Sequence, residues 1–318
     1  MTGLTQTGSP FDPIPLGQDG PPTPAAFVPE PLLRSGRNWT RWTGPVVSLL
    51  ILLVALRQFQ GMNLHELRSL MPASLAFWLV FTLYYLAGPL SEWVIFRRLW
   101  RIPLSGMGAL LRKLVSNEIL LGYLGEVYFY AWARRSADIK TTPFGALKDV
   151  TILSAVVGNL MTLVMVIGAL PLFGAIQGLG NREVIASILF VLVTAAAALF
   201  WRRRIFTLPR RELWIVSAIH FLRIVATTLL AALMWHMLLP SVNLSWWVLL
   251  GTLRLLVSRL PFLPNKDVVF AGMAAFLIGR NSEIVEAMAL MASLILAAHL
   301  LVGLLLGASE LLREGRSA

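Results

Sequence analysis

Two acidic residues that interrupt apolar sequence are the first candidates for chemistry in this chain. Glu126 opens an apolar run after the breakers of 121–125, and Asp267 opens another after the prolines of 260–264. Each acid is expected at the N-terminus of a short helix, where a carboxylate satisfies free N–H groups and complements the helix dipole. Ionisable groups within membrane-forming sequence are also candidates for contact with a substrate. Both interpretations stay open, because a capping carboxylate can also line a cavity.

Basic side chains accompany these acids. Arg259 and Lys266 flank the second break, where they suit either a lipid phosphate or the membrane interface. His220 and Arg223 share one face of a later apolar run, and Arg223 lies roughly 15 Å along it. A charge at that depth must find a partner, and an acid of the first break is the structural alternative to a substrate. The candidates for a substrate path are therefore Glu126, Asp267, Lys266, Arg259, Arg223 and His220.

Two other charged residues are expected to have more ordinary roles. Glu92 is predicted near the membrane interface, in an ion pair with the nearby Arg97 or Arg98. Arg254 also lies close to the second break, but its spacing from Trp246 and Trp247 favours the interface over a substrate.

Motifs for catalysis or metal binding are missing from the sequence. The chain has no cysteine, which excludes disulfides, thiolate nucleophiles and cysteine-based metal sites. Phosphate-binding glycine loops, the His-Glu-x-x-His helix and the Gly-x-Ser-x-Gly elbow are all absent. We therefore predict no catalytic residues, no metal and no cofactor, and an enzyme is not the leading hypothesis. The four histidines are scattered without ligand spacing: His65, His220, His236 and His299.

The elements that position these residues are membrane helices. Of 318 residues, 57% are hydrophobic and 14% charged, whereas a soluble domain carries about 25% charged residues. Apolar runs long enough to cross about 30 Å of hydrocarbon predict an all-α, polytopic transmembrane helix bundle. Six full spans are expected at 42–59, 72–96, 150–173, 184–201, 213–238 and 284–307.

The net charge of +11 comes from basic clusters between the apolar runs. This is the distribution of the positive-inside rule, whereas a nucleic-acid protein gathers its charge on one exposed face. Nucleic acid is therefore excluded as a partner, and both termini are predicted to be cytoplasmic. Three parts are expected: a disordered Pro-rich tail over 1–41, a transmembrane domain over 42–309 and a short cytoplasmic tail over 310–318.

Two segments differ from simple spans. Residues 114–133 and 247–279 are apolar but interrupted by glycines, prolines and acids, which predicts broken or re-entrant helices lined by protein or a water-filled cavity. Around the breaks, Leu121–Val127 is similar to Leu260–Val268, allowing two inserted residues. The first is expected to enter from the cytoplasmic side and the second from the opposite side. Paired interrupted segments of this kind indicate an inverted repeat with a transport site between its halves.

Three short segments also carry a family resemblance. They are the arginine-rich exit of the second span at 96–100, the stretch from Asn117 through Gly125-Glu126 to Arg134-Arg135, and Leu260 to Asp267. They are similar to the lysylphosphatidylglycerol synthase transmembrane family, also called flippase-like proteins, over about residues 45–307. The family usually has proline where this chain has Leu121-Gly122, and a glycine-rich motif where it has Pro264-Asn265-Lys266-Asp267.

The resemblance implies a helical bundle that moves lipids between leaflets. The expected function is a lipid translocase acting on an anionic or modified phospholipid or a lipid-linked product, in the bacterial cytoplasmic (inner) membrane. The family's soluble aminoacyl-transfer domain is not expected, because the sequence ends at Ala318 soon after the last predicted span. Two alternatives stay open: a non-transporting partner of a lipid-modifying or glycosyl-transfer enzyme, and a membrane enzyme acting on polyprenyl- or phosphatidyl-linked substrates. The oligomeric state is not predicted.

Overall fold

Four long apolar helices and four shorter ones make up the described part of the chain. The computed structural model describes residues 71–120, 123–136, 143–169, 206–259, 264–278 and 283–315. Within these ranges all regular structure is helical, without a strand. In chain order the helices are α1 (Leu75–Trp100), α2 (Gly106–Ile119), α3 (Leu124–Ser136), α4 (Pro143–Ala169), α5 (Arg210–Leu238), α6 (Leu244–Ser258), α7 (Lys266–Ile278) and α8 (Glu283–Gly315).

Helices α1, α4, α5 and α8 are each long and apolar enough to cross a membrane. They coincide with the spans predicted at 72–96, 150–173, 213–238 and 284–307. Only 22% to 39% of the residues in the most apolar stretch of each helix are buried within the protein, so most apolar residues there are at least partly exposed, as expected for helices in contact with lipid. The described part of the chain is therefore all-helical, with the long apolar helices of an integral membrane protein.

Several predicted boundaries differ from the structure or fall outside it. Helix α4 begins at Pro143 rather than at 150, because proline is favoured in the first turn of a helix and the residues after it continue the helical pattern. Helix α8 continues to Gly315, into the predicted tail that begins at 310. The predicted tail over 1–41 and the predicted spans at 42–59 and 184–201 lie outside the described residues.

Each of the two interrupted segments folds as a helical hairpin. In the first hairpin (α2 and α3), the Asn117 side chain accepts a hydrogen bond from the Gly125 N–H at 2.8 Å. In the second (α6 and α7), the Lys266 ammonium donates to the Ser258 carbonyl at 3.2 Å. The sequence prediction of a helix, a break and a second helix is confirmed at both places.

Contacts between the long helices define their relative directions. Helices α1 and α5 are antiparallel, because Arg98 near the end of α1 pairs with Glu212 near the start of α5. Helix α4 runs parallel to α5, because Asp149 near the start of α4 accepts hydrogen bonds from the N–H groups of Thr207 and Leu208, just before α5. The end of α4 and the start of α5 therefore lie at opposite ends of the bundle.

Two apolar cores divide the bundle along its length, and each contains one hairpin. The first core holds the start of α1, the end of α5 and the second hairpin, and its large members are Phe77, Phe81, Trp235, Trp247, Phe270 and Met288. The second core holds the end of α1, the start of α5 and the first hairpin, and its large members are Phe96, Trp100, Leu110, Tyr128, Phe129 and Leu300. The two hairpins thus enter the bundle from opposite ends.

Candidate functional site

The tips of the two hairpins meet directly. The Asn265 N–H, immediately before α7, donates to the Glu118 carbonyl near the end of α2 at 2.8 Å. The Glu118 carboxylate also lies near the backbone of Lys266, the first residue of α7. Glu118 therefore contacts the N-terminal end of α7, where backbone N–H groups lack partners within the helix.

A polar cavity of about 640 Å³ lies beside these tips. This volume is in the range of pockets that take small ligands, roughly 300–1,000 Å³. The cavity is lined by residues of α1 through α7, so both hairpins and three long helices contribute to it. It brings together all of the candidates from the sequence: Glu126, Asp267, Lys266, Arg259, Arg223 and His220. Their role in a substrate path stays a prediction.

The first hairpin contributes a lysine that two carboxylates share. The Lys113 ammonium lies 2.7 Å from a carboxylate oxygen of Glu92 on α1 and 3.4 Å from one of Glu126 on α3. The other oxygen of Glu126 is buried and has no hydrogen-bond partner among the described residues. One cation therefore balances two buried acids at the wall of the cavity.

The prediction for Glu92 was wrong. Glu92 pairs with Lys113 in the interior, while Arg98 pairs with Glu212 at 2.7 Å. The physical reason is helix geometry, because residues share a face at spacings of three and four. At spacings of five and six, Arg97 and Arg98 lie on other faces of α1 than Glu92.

The second hairpin contributes an arginine with one carboxylate. The Arg254 guanidinium donates to Asp267 at 2.8 Å and also to the hydroxyl of Tyr84 on α1. Its charged carbon lies over the Tyr84 ring, 5.3 Å from the centroid. The interfacial position predicted for Arg254 was wrong, since the residue lines the cavity and belongs to the same interior cluster as Asp267.

Two other arginines of the cavity have hydroxyl partners. Arg223 donates to Ser154 Oγ at 3.0 Å, and Arg259 donates to Ser258 Oγ at 2.9 and 3.1 Å. Among the described residues, neither forms an ion pair with a carboxylate. The partner predicted for Arg223, an acid of the first break, is corrected: Glu126 is held by Lys113 instead.

Sequence reasoning missed four charged residues of this site as parts of the cavity: Glu92, Lys113, Glu118 and Arg254. A signal for two of them was present in the sequence. Lys113 precedes Glu126 by 13 residues, and Arg254 precedes Asp267 by the same number. In a tight helical hairpin, residues equally distant from the turn face one another, so this spacing places each cation opposite its acid.

The arrangement suits binding of a polar, charged group more than metal chemistry. In the described part of the chain, no group of three or more histidine, aspartate or glutamate side chains is placed to hold a metal ion. The cavity instead offers guanidinium, ammonium and carboxylate groups side by side. Such a set can accommodate a ligand that carries both an anion and a cation or hydroxyls.

Comparison with protein-family models, with curated proteins and with solved structures found no match for this chain.

Proposed function

We propose that the chain is a lipid translocator whose headgroup path is the cavity at the tips of the two hairpins. One observation carries the proposal: a cavity of about 640 Å³ with nine charged residues in its described lining, in a chain of membrane-spanning helices. Charge at membrane depth is costly and marks the pathways of polar substrates. Lipid headgroups would cross through the cavity while the acyl chains stay in the bilayer.

The proposal includes an inverted repeat, which the spacing of charges and the order of the helices support. A shift of 141 residues carries Lys113 onto Arg254 and Glu126 onto Asp267. The order of one long helix, two short helices and one long helix occurs in α1–α4 and again in α5–α8. The corresponding helices α1 and α5 run in opposite directions, which is the relation between halves of an inverted repeat. Transporters with such repeats place the substrate between the halves, where broken helices meet.

The same proposal includes the family and the location. The three segments described above resemble the flippase-like lysylphosphatidylglycerol synthase transmembrane family, and a bilayer protein of that kind would act in the bacterial cytoplasmic membrane with both termini in the cytoplasm. An anionic or modified phospholipid is the proposed substrate. Partnership with a lipid-modifying enzyme is compatible with this role, since translocation would dispose of the product of such an enzyme.

Leaflet exchange in liposomes tests the proposal. The purified full-length chain would be reconstituted with fluorescent phosphatidylglycerol, lysylphosphatidylglycerol or phosphatidylethanolamine, and exchange would be followed by a membrane-impermeant quencher. We expect exchange above the protein-free rate. The Glu126→Gln and Asp267→Asn variants are expected to be slower by at least about tenfold, since each removes a charge worth about 1.4 kcal/mol or more to a headgroup.

Glu212→Gln is the matched control, because Glu212 pairs with Arg98 outside the cavity. It should exchange lipid at the wild-type rate. If none of the three lipids moves with folded protein, translocation of common phospholipids is ruled out, and the partner and enzyme alternatives take its place. If both cavity variants exchange at the wild-type rate, the path does not pass Glu126 and Asp267.

A further inference from the structure

The two arginines with hydroxyl partners come from different parts of the chain but reach neighbouring positions on α4. Arg223 reaches Ser154 on α4, and the Arg259 guanidinium lies against Gly158 of the same helix, where a Cβ would overlap it. Ser154 and Gly158 are four residues apart, so they are neighbours on one face, about 5–6 Å apart. Two guanidinium groups from different helices therefore converge on one turn of α4.

Among the described residues neither arginine forms an ion pair with a carboxylate, and Glu92 acts on Arg223 only from a longer distance. The described lining holds five cationic and four acidic side chains, so positive charge is in excess. Lys113 forms ion pairs with Glu92 and Glu126, and Arg254 forms an ion pair with Asp267. The Glu118 carbonyl accepts the Asn265 N–H before α7, and the Glu118 carboxylate lies near Lys266. Two like charges held together in a site of low dielectric repel each other strongly. An anion placed between them would remove this repulsion and use the donors that the serines leave free.

We propose that Arg223 and Arg259 form a phosphate-binding site within the cavity, and this inference rests on the proposed function. Each guanidinium presents a planar fork of donors that matches phosphate oxygens. Ser154 and Ser258 fix the two arms, and the missing side chain at Gly158 leaves room for the Arg259 plane. The phosphodiester of a phospholipid and free phosphate share this chemistry.

Binding of water-soluble ligands to the full-length chain in detergent tests the site. The probes are dihexanoyl phosphatidylglycerol, dihexanoylglycerol, which lacks the phosphate, and inorganic phosphate, each measured by isothermal titration calorimetry. We expect wild-type protein to bind the phosphatidylglycerol at least about tenfold more tightly than dihexanoylglycerol. Tighter binding of the lipid than of inorganic phosphate identifies a phospholipid as the source. The reverse order identifies a free phosphate, and the site itself stands in both cases.

Substitutions then locate the binding. Arg223→Gln and Arg259→Gln are each expected to weaken phosphate-dependent binding by at least about tenfold. Gly158→Ala changes no charge but displaces the Arg259 guanidinium, so it should weaken binding as well. Gly168→Ala, on the same helix with open space around its Cβ position, is the matched control and should bind as wild type does.

Two results would overturn the site: equal binding of dihexanoylglycerol by wild-type protein, or wild-type affinity in both arginine variants. The comparison of dihexanoyl phosphatidylglycerol with dihexanoylglycerol uses only wild-type protein, so it tests the site even if a variant does not fold. Failure of the site and failure of the proposed function give different results. Arginine variants that exchange lipid and bind phosphate normally refute the site alone. Loss of binding in these variants, without lipid exchange in wild-type protein, refutes translocation alone.

Discussion

The two hairpins share a geometry and differ in how their charges are balanced. In each, a cation on the first helix faces an acid 13 residues later, and α1 supplies a further partner. In the first hairpin that partner is the carboxylate of Glu92, so Lys113 serves two acids and the cluster has a net negative charge. In the second it is the hydroxyl of Tyr84, so Arg254 and Asp267 balance. The same backbone plan thus presents two electrostatic environments to one cavity.

The largest effect is expected from removing the two cations. Lys113→Gln leaves two buried carboxylates without compensation, whereas Arg254→Gln leaves one. Breaking a buried ion pair on one side costs about 3–5 kcal/mol, so we expect at least this loss for Lys113→Gln and a smaller loss for Arg254→Gln. Reversible unfolding in mixed micelles measures both free energies. An equal or larger loss of unfolding free energy for Arg254→Gln would contradict the proposed difference in charge balance between the two hairpins.

A second-site change provides the control for this comparison. Asp267→Asn added to Arg254→Gln removes the stranded carboxylate and should restore most of the lost stability. Glu126→Gln added to Lys113→Gln should restore only part, because Glu92 still lies in the interior without its cation.

An intermediate effect is expected at the close contact within the first hairpin. A Cβ at Gly125 would collide with the Lys113 carbonyl, which belongs to the backbone and cannot move aside easily. Gly125→Ala should therefore lower the free energy of unfolding by about 1–3 kcal/mol. The corresponding position of the second hairpin carries Lys266, and Lys266→Ala should cost no more than about 0.5–1.5 kcal/mol, the value of its hydrogen bond to Ser258. The same unfolding experiment compares them, and equal losses would show that the two hairpins pack alike.

The smallest effect is expected at the residues just before the second helix of each hairpin. Tyr123 and Asn265 both adopt left-handed backbone conformations, with φ of 73° and 50°. Asparagine tolerates this conformation better than a bulky residue does. Tyr123→Gly should therefore raise the free energy of unfolding by about 0.5–1 kcal/mol, while Asn265→Gly should change it by less. Denaturation curves of the two variants measure these free energies of unfolding. A higher free energy in Asn265→Gly alone would contradict the expectation that Tyr123 is the more strained residue.

Composition and the length of apolar runs were enough to predict the four long helices of the described residues. Glycine, proline and acidic residues likewise marked both interrupted segments, because breakers end helices through local backbone chemistry. The six candidate residues stand out because ionisable groups are rare in apolar sequence, and all six line the cavity; their role in a substrate path stays a prediction.

The partners of those residues could not be read from the sequence. Which acid faces Lys113 depends on the rotation of α1 and on how closely α3 packs on α2. The sequence favoured Arg97 or Arg98 as the ion-pair partner of Glu92. Before the fold is known, only residues close in sequence can be considered as partners. The convergence of Arg223 and Arg259 on α4 likewise depends on how α4, α5 and α6 pack together. No sequence pattern around Gly158 indicates that its face contacts a guanidinium group.

The bond between the hairpin tips has a further consequence for motion. The residue before α7, Asn265, donates its N–H to the carbonyl of Glu118, a residue of the other hairpin. Any movement that draws the hairpin tips apart therefore leaves this N–H without its partner. A backbone hydrogen bond contributes about 0.5–1.5 kcal/mol net, so the contact would hold the tips together only weakly. Water entering the gap would take over the exposed donor.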